Sequence, residues 1–160
     1  MWNRNVTVLW LAQLITAMGD AIYQLALIWL ILDMTGSSII TGMVAMGAYL
    51  PAMLFGLLGG VFADKYNRLN IMHLANISQS LTVFVIPLTL YYGVADAMLL
   101  GILAFIRSSF GTMFPPALNA FIPEVVTKDQ LTKVNSVIAT SSQLAYLIGP
   151  AIAGILLGVI

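Results

Sequence analysis

Long apolar runs separated by short polar breaks make up almost the whole chain. Five runs stand out, at residues 6–32, 39–63, 71–92, 97–118 and 134–160. Each reaches the roughly 20 residues that an α-helix needs to cross a hydrocarbon core of ~30 Å. The breaks carry turn chemistry: Asp33-Met34-Thr35-Gly36-Ser37-Ser38, then Asp64-Lys65-Tyr66-Asn67-Arg68, then Gly93-Val94-Ala95-Asp96. The last break, 119–133, is longer. In it Phe121, Ile122, Val125 and Val126 interleave with Glu124, Lys128 and Asp129, the pattern of a short amphipathic stretch at the membrane interface. Nothing alternates with period two, as the strands of a membrane barrel would. The pattern predicts an all-α integral membrane protein with five spans. Only Arg4 precedes the first run in charge, but that run is far longer than the apolar region of a signal peptide and reads as a retained span.

Composition narrows the class further. With 61% hydrophobic residues, 8% charged residues and a mean hydropathy of +1.00, there is too little polar surface to coat a soluble globule. The net charge is zero and no basic tract occurs, so no nucleic acid partner is expected. Cysteine is absent, which removes disulfides and thiolate chemistry, and the single histidine, His73, makes no metal cluster by itself. No metal or cofactor is expected. Nor is an enzyme: the chain has no His-Glu-x-x-His, no Gly-x-Ser-x-Gly and no phosphate loop. The basic residues also orient the spans. Arg4, Lys65, Arg68, Lys128 and Lys133 all fall on one side of a five-span arrangement, while the opposite loops carry Asp33 and Asp96 and no Lys or Arg. That is a positive-inside pattern with the N-terminus in the cytoplasm. The chain stops within an apolar run, Gly158-Val159-Ile160, and reads as lacking at least a sixth span.

Two formal charges lie deep in the spans. Asp20 sits near the middle of the first, where an ionised carboxylate costs at least ~2.5 kcal/mol on insertion scales. Gln13, Thr16 and Gln24 recur with it at helical spacing, and such a stripe should face protein or a wet cavity. Asp20 is then either a proton- or cation-responsive group lining a path or a structural partner for a neighbour. Arg107, in the fourth span, is its natural counterpart. At ~1.5 Å per residue, Asp20 lies ~21 Å from the inner start of its span and Arg107 ~15 Å from the outer start of its own. Tyr23, Trp29 and Tyr49 suit stacking on an aromatic substrate, whereas Trp2 and Trp10 suit the aromatic belt at the inner interface. Asn76, Gln79 and Ser80 give the third span a polar patch that reads as glue between helices. Gly56 and Gly60 form a small-xxx-small pair for helix packing. Pro115 and Pro116 are tolerated kinks or the end of the fourth span.

Three segments carry a family resemblance. Gly60-Val61-Phe62-Ala63-Asp64-Lys65-Tyr66-Asn67-Arg68 resembles the loop 2–3 signature of the major facilitator superfamily, although Leu69 and Asn70 stand where a second basic residue is usual. Arg107-Ser108-Ser109-Phe110-Gly111 looks like the fourth-span signature of proton-coupled facilitators, Arg-x-x-x-Gly. Gly149-Pro150-Ala151-Ile152-Ala153-Gly154 is similar to the fifth-span signature of drug:proton antiporters, with Ser136, Ala145 and Ala153 at positions usually held by glycine. Asn3-Arg4-Asn5, the run from Leu14 to Trp29 containing Gly19-Asp20, and the loop from Ile122-Pro123-Glu124 to Asn135 resemble the macrolide and siderophore efflux branch. The resemblance implies five spans of a six-helix N-terminal half, with the sixth span and the C-terminal half as missing partners. It also implies a multi-pass protein of the cell inner or plasma membrane that exports small amphipathic molecules against protons by alternating access. On that reading Asp20, Arg107, Gln13, Gln24 and Tyr23 line the proton and substrate path. Gly60, Asp64, Lys65 and Arg68 form a cytoplasmic gate, and Gly149, Pro150 and Gly154 form a hinge or packing surface. An uptake symporter, a lipid or metabolite transporter, or a non-transporting membrane fragment on the same fold are the alternatives.

The topology is directly testable. Reporter fusions after Asp33 and Asp96 should read as external, and those after Arg68 and Lys128 as cytoplasmic. A cytoplasmic signal from residue 96 would overturn the orientation.

Overall fold

Helix ends organise the structure, and the residues that make them are short and polar. The computed structural model describes residues 4–159, without the side chains of residues 5, 57–59, 61–64 and 159. Among the described residues there are six helices and no strand: α1 (Arg4–Thr35), α2 (Ser38–Lys65), α3 (Arg68–Tyr91), α4 (Ala97–Gly111), α5 (Phe114–Val125) and α6 (Lys128–Val159). Five segments are long and apolar enough to cross a membrane: Val6–Thr35, Ser38–Gly56, Arg68–Tyr91, Ala97–Val125 and Lys128–Gly158. The all-α, five-span expectation holds. The fourth span consists of two helices in succession, α4 and α5, and the stretch at 119–125 read as interfacial is helical within α5.

Each link has a local cause. Gly36 closes α1 with φ of +62°, a conformation that glycine adopts without steric cost, and its N–H donates to the Leu32 carbonyl at 2.8 Å. Between α2 and α3 only Tyr66 and Asn67 intervene. Asn67 is extended, and its Oδ1 accepts from the N–H groups of Leu69 at 3.0 Å and Asn70 at 3.3 Å, capping α3. Asp96 caps α4 in the same way, accepting from Leu99 N–H at 2.7 Å. Lys65 occupies the last turn of α2, where the helix dipole favours a cation.

The interruption between α4 and α5 follows from Pro115 and Pro116. Neither has an N–H, so the carbonyls of Gly111 and Thr112 cannot receive the usual helix bond from four residues ahead. The chain tightens instead into a short-range turn, with Met113 N–H donating to the Phe110 carbonyl at 3.2 Å. Both prolines then occupy the first turn of α5, where a missing N–H costs nothing.

Two compact units result. One comprises the chain up to Leu30 together with residues from Ile122 onward; the other runs from Ile31 to Phe121. In the second, α4 packs against both α2 and α3. Its Leu100 and Ala104 are buried, and Gly101 lets the Val44 side chain approach, leaving 3.5 Å to where a Cβ would stand. On α3 the buried face runs through Ile71, Met72, Ala75, Thr82, Ile86 and Thr89. Thr82 and Thr89 satisfy their hydroxyls locally, donating to the carbonyls of Ser78 and Ile86 at 2.7 Å each. In the first unit, α1 meets α6 at residues 10 and 141 and again at 21 and 149. That order makes the two helices parallel. First and fifth spans must be parallel in a chain that crosses the membrane at every step.

Candidate functional site

At 3.6 residues per turn, α1 has two sharply different sides. Val6, Gln13, Ala17, Asp20, Gln24, Leu27 and Ile31 recur at intervals of three, four or seven and share one side. Val6, Ala17, Leu27 and Ile31 are buried there, Gln13 and Asp20 are half-buried, and Gln24 is exposed. Tyr23 flanks the stripe with its hydroxyl oxygen closed off from solvent. The opposite side carries Val8, Leu11, Ile15 and Trp29, all exposed and all compatible with lipid. Asp20 therefore lies on the packed side of its helix, at the middle of a 32-residue α1.

A close helix approach occurs one residue away. Gly149 of α6 is so near Ala21 that a Cβ added to it would stand 2.5 Å from the Ala21 Cβ. Neighbours on α6 keep the approach small: Ala145, Gly149 and Ala153 are all buried, at intervals of four. Three turns earlier on α1, the Trp10 indole N–H donates to Ser141 Oγ at 2.8 Å. Trp10 is thus half-buried between helices, with its polar edge bonded to a hydroxyl within the protein. Pro150 is half-buried beside Gly149. Gly154 has nothing within 4 Å of an added Cβ among the described residues.

Arg107 belongs to the other unit. It shares a face of α4 with Leu100, Ala104 and Gly111, and its Nε is buried. This face is turned to α3: the Gln79 amide lies 3.3 to 3.9 Å from where a Cβ on Gly111 would stand. On a different side of α4, Met98, Gly101 and Phe105 meet Met43, Val44 and Gly47 of α2 along an apolar groove of about 350 Å³.

The gate candidates sit at the α2–α3 link. Lys65 is exposed and Arg68 half-buried. The Asp64 side chain lies outside the described residues, and no described residue comes within 4 Å of a Cβ added to Gly60 or Gly56. Asn67, which sequence reasoning passed over, shapes this link through its cap; an Asn directly before an apolar-periodic run was the available signal. Trp29 and Tyr49, candidates for stacking, are exposed. Among the described residues, no group of three or more His, Cys, Asp or Glu is arranged to hold a metal ion.

The family described as transmembrane secretion effector matches residues 2–160. The chain belongs to this branch of the major facilitator superfamily. Among curated relatives, macrolide efflux protein A of Streptococcus pyogenes is 31% identical over 159 residues, covering 99% of this chain and 39% of its own length. Its Enterococcus faecalis counterpart is 34% identical over 125 residues, 78% of this chain and 38% of the relative. The multidrug efflux pump Tap of Mycobacterium bovis (strain BCG / Pasteur 1173P2) is 28% identical over 154 residues, 93% of this chain and 37% of the pump. This facilitator chain therefore spans about two-fifths of the length of the curated relatives it matches. No solved structure matches it. Family and helices together make it a multi-pass membrane protein.

The α1–α6 crossing generates a size-swap test. Gly149→Ala must push the two backbones apart and should cost about 1–3 kcal/mol, the usual penalty of overpacking. Ala21→Gly in the same molecule should recover most of that loss. Thermal melting in detergent reads both, and a Gly149→Ala protein that melts like the parent would contradict the geometry.

Proposed function

We propose that this facilitator chain supplies part of the translocation path of an efflux transporter, exporting small amphipathic molecules in exchange for protons by alternating access. The observation that carries the reading is a carboxylate, Asp20, held mid-helix on the packed side of α1 in line with Gln13. An acid placed there at a cost of several kcal/mol marks an ion or proton path by default. Efflux, as against uptake, is favoured by the relatives' names, macrolide efflux protein A and multidrug efflux pump Tap. The activity belongs to a protein of those relatives' length.

In this scheme Asp20 takes up a proton on the outer side as the substrate leaves and releases it to the cytoplasm as the next substrate binds. Gln13, Gln24 and Tyr23 offer hydrogen bonds along the same helix. Arg107 keeps its charge whatever its surroundings, so it is a fixed charge on the path and never the proton carrier. At the cytoplasmic end, Gly60, Asp64, Lys65 and Arg68 form the gate. The N-terminus is cytoplasmic, so the one-sided basic residues stay on the side where Lys and Arg are retained. Gly149, Pro150 and Gly154 supply the surface about which α6 bends or slides, since proline within a span weakens its backbone bonds and glycine permits close approach.

Uptake of a radiolabelled macrolide into inverted vesicles under an imposed acid-inside pH gradient tests this. With the protein as its gene encodes it, Asp20→Asn should abolish proton-driven transport while substrate exchange, which needs no net proton movement, persists. Proton-driven transport by Asp20→Asn at the parent rate would remove Asp20 from the path.

A further inference from the structure

Along one flank of the second unit, α2 and α4 leave the apolar groove of about 350 Å³ between them. Two glycines make the room: Gly47 on α2 and Gly101 on α4 are half-buried at its floor. A Cβ added to Gly47 would meet nothing within 4 Å among the described residues. Met43 and Met98 stand at the rims, 69% and 77% exposed, and Phe105 closes the far end. On α4 the groove runs from Ala97, the first residue of the helix, to Phe105. At 1.5 Å per residue that is about 12 Å, close to the depth of one leaflet in a core of ~30 Å. The groove therefore starts at the interface and ends near the midplane. Its volume over that length gives a cross-section of about 30 Å², roughly a third of what an α-helix about 10–12 Å across would occupy. A single hydrocarbon chain is that narrow; a helix is not.

Charge at the mouth selects what the chain is attached to. Asp96, next to Ala97, is exposed, and its Oδ1 accepts from the Leu99 N–H at 2.7 Å. Its full negative charge outweighs the half positive charge that the helix dipole places at the N-terminus of α4. The two links on this side of the membrane, residues 33–38 and 93–96, contain no Lys or Arg that would neutralise it. We infer that the α2–α4 groove is a lipid site, holding one acyl chain of a bilayer lipid whose headgroup presents a protonated amine to Asp96. The lipid belongs to the leaflet at these links, the outer one in the orientation proposed above. Met43 and Met98 suit such an occupant, because an unbranched, polarisable side chain adapts to a chain that itself changes conformation. The site depends on the packing of α2 with α4 and stands apart from the direction and coupling of transport.

Photolabelling tests this on the protein as its gene encodes it, reconstituted in vesicles with a trace of lipid bearing a diazirine in its acyl chain. The probe is used once as phosphatidylethanolamine and once as phosphatidylglycerol, and mass spectrometry locates the adducts. Adducts should concentrate on the peptides of Met43, Met98 and Phe105, above the level at Ile77 and Leu81, which are exposed on α3. The ethanolamine lipid should be favoured there by about two- to fivefold, the scale of an exposed ion pair. Gly47→Leu fills the groove without a clash and should lower its adducts several-fold while leaving those at Ile77 and Leu81 unchanged. Asp96→Asn keeps a residue that caps helices and should bring the two lipids to equal yield without lowering the phosphatidylglycerol adducts. Groove adducts no more frequent than those at Ile77 and Leu81, or unmoved by Gly47→Leu, would overturn the lipid site. A groove without adducts would mean that another protein segment or a second copy covers it, and would overturn the site as well. Equal yields of the two lipids in the parent protein would overturn the pairing with Asp96.

Discussion

Hydrocarbon offers no hydrogen bonds, so each polar group that this chain carries into the membrane must find its partner on a neighbouring segment or in trapped water. The consequences can be followed residue by residue. Trp10 gives its indole N–H to Ser141. Thr82 and Thr89 return their hydroxyls to their own helix. Asp20 and Gln13 share the buried side of α1, and the opposite side is left to Val8, Leu11 and Ile15. A water-soluble protein would place these groups the other way round. The polar positions therefore define which sides of the helices belong to the protein, and the site is assembled from those sides.

Close packing of small residues does the rest. Gly149 against Ala21, Gly101 against Val44 and Gly111 against Gln79 are three places where a missing Cβ brings another helix near. At each the consequence is different. The first brings α6 to within one residue of Asp20, the second joins α2 to α4, and the third brings an amide to an opened backbone. Gly42, Gly56 and Gly154 have no such neighbour among the described residues, so glycine spacing by itself does not identify a packing face. The difference lies in the companions: Gly149 is flanked at intervals of four by buried alanines, whereas Gly56 is itself exposed and lies between exposed Met53 and half-buried Gly60.

Much of this was legible in the amino-acid sequence. Five runs of sufficient length gave five spans, because length and apolarity are all that a bilayer asks of a helix. The stripe through Gln13, Asp20 and Gln24 was legible as well, since helical periodicity needs no tertiary information. Partners were not. Trp10 looks the same in sequence with or without a hydroxyl partner, and only the parallel pairing of α1 with α6 brings Ser141 to it. The Pro115-Pro116 pair was visible, but its effect depends on depth: after a span it ends a helix, and within one it opens the backbone beside Gln79. Asn67 as a cap required knowing that α3 begins at Arg68, and helix boundaries are the least legible feature of a chain with continuous apolar character.

The central claim is that the Asp20 side of α1 faces an aqueous path while the opposite side faces lipid. The chain contains no cysteine, so single-cysteine labelling can be read without background. One cysteine at a time at positions 8, 11, 13, 15, 16, 20 and 24, probed with a membrane-impermeant maleimide in intact and inverted vesicles, measures water access along the helix. The account predicts labelling at 13, 16, 20 and 24 and protection at 8, 11 and 15. Equal protection at all seven positions, or labelling confined to 8, 11 and 15, would contradict it.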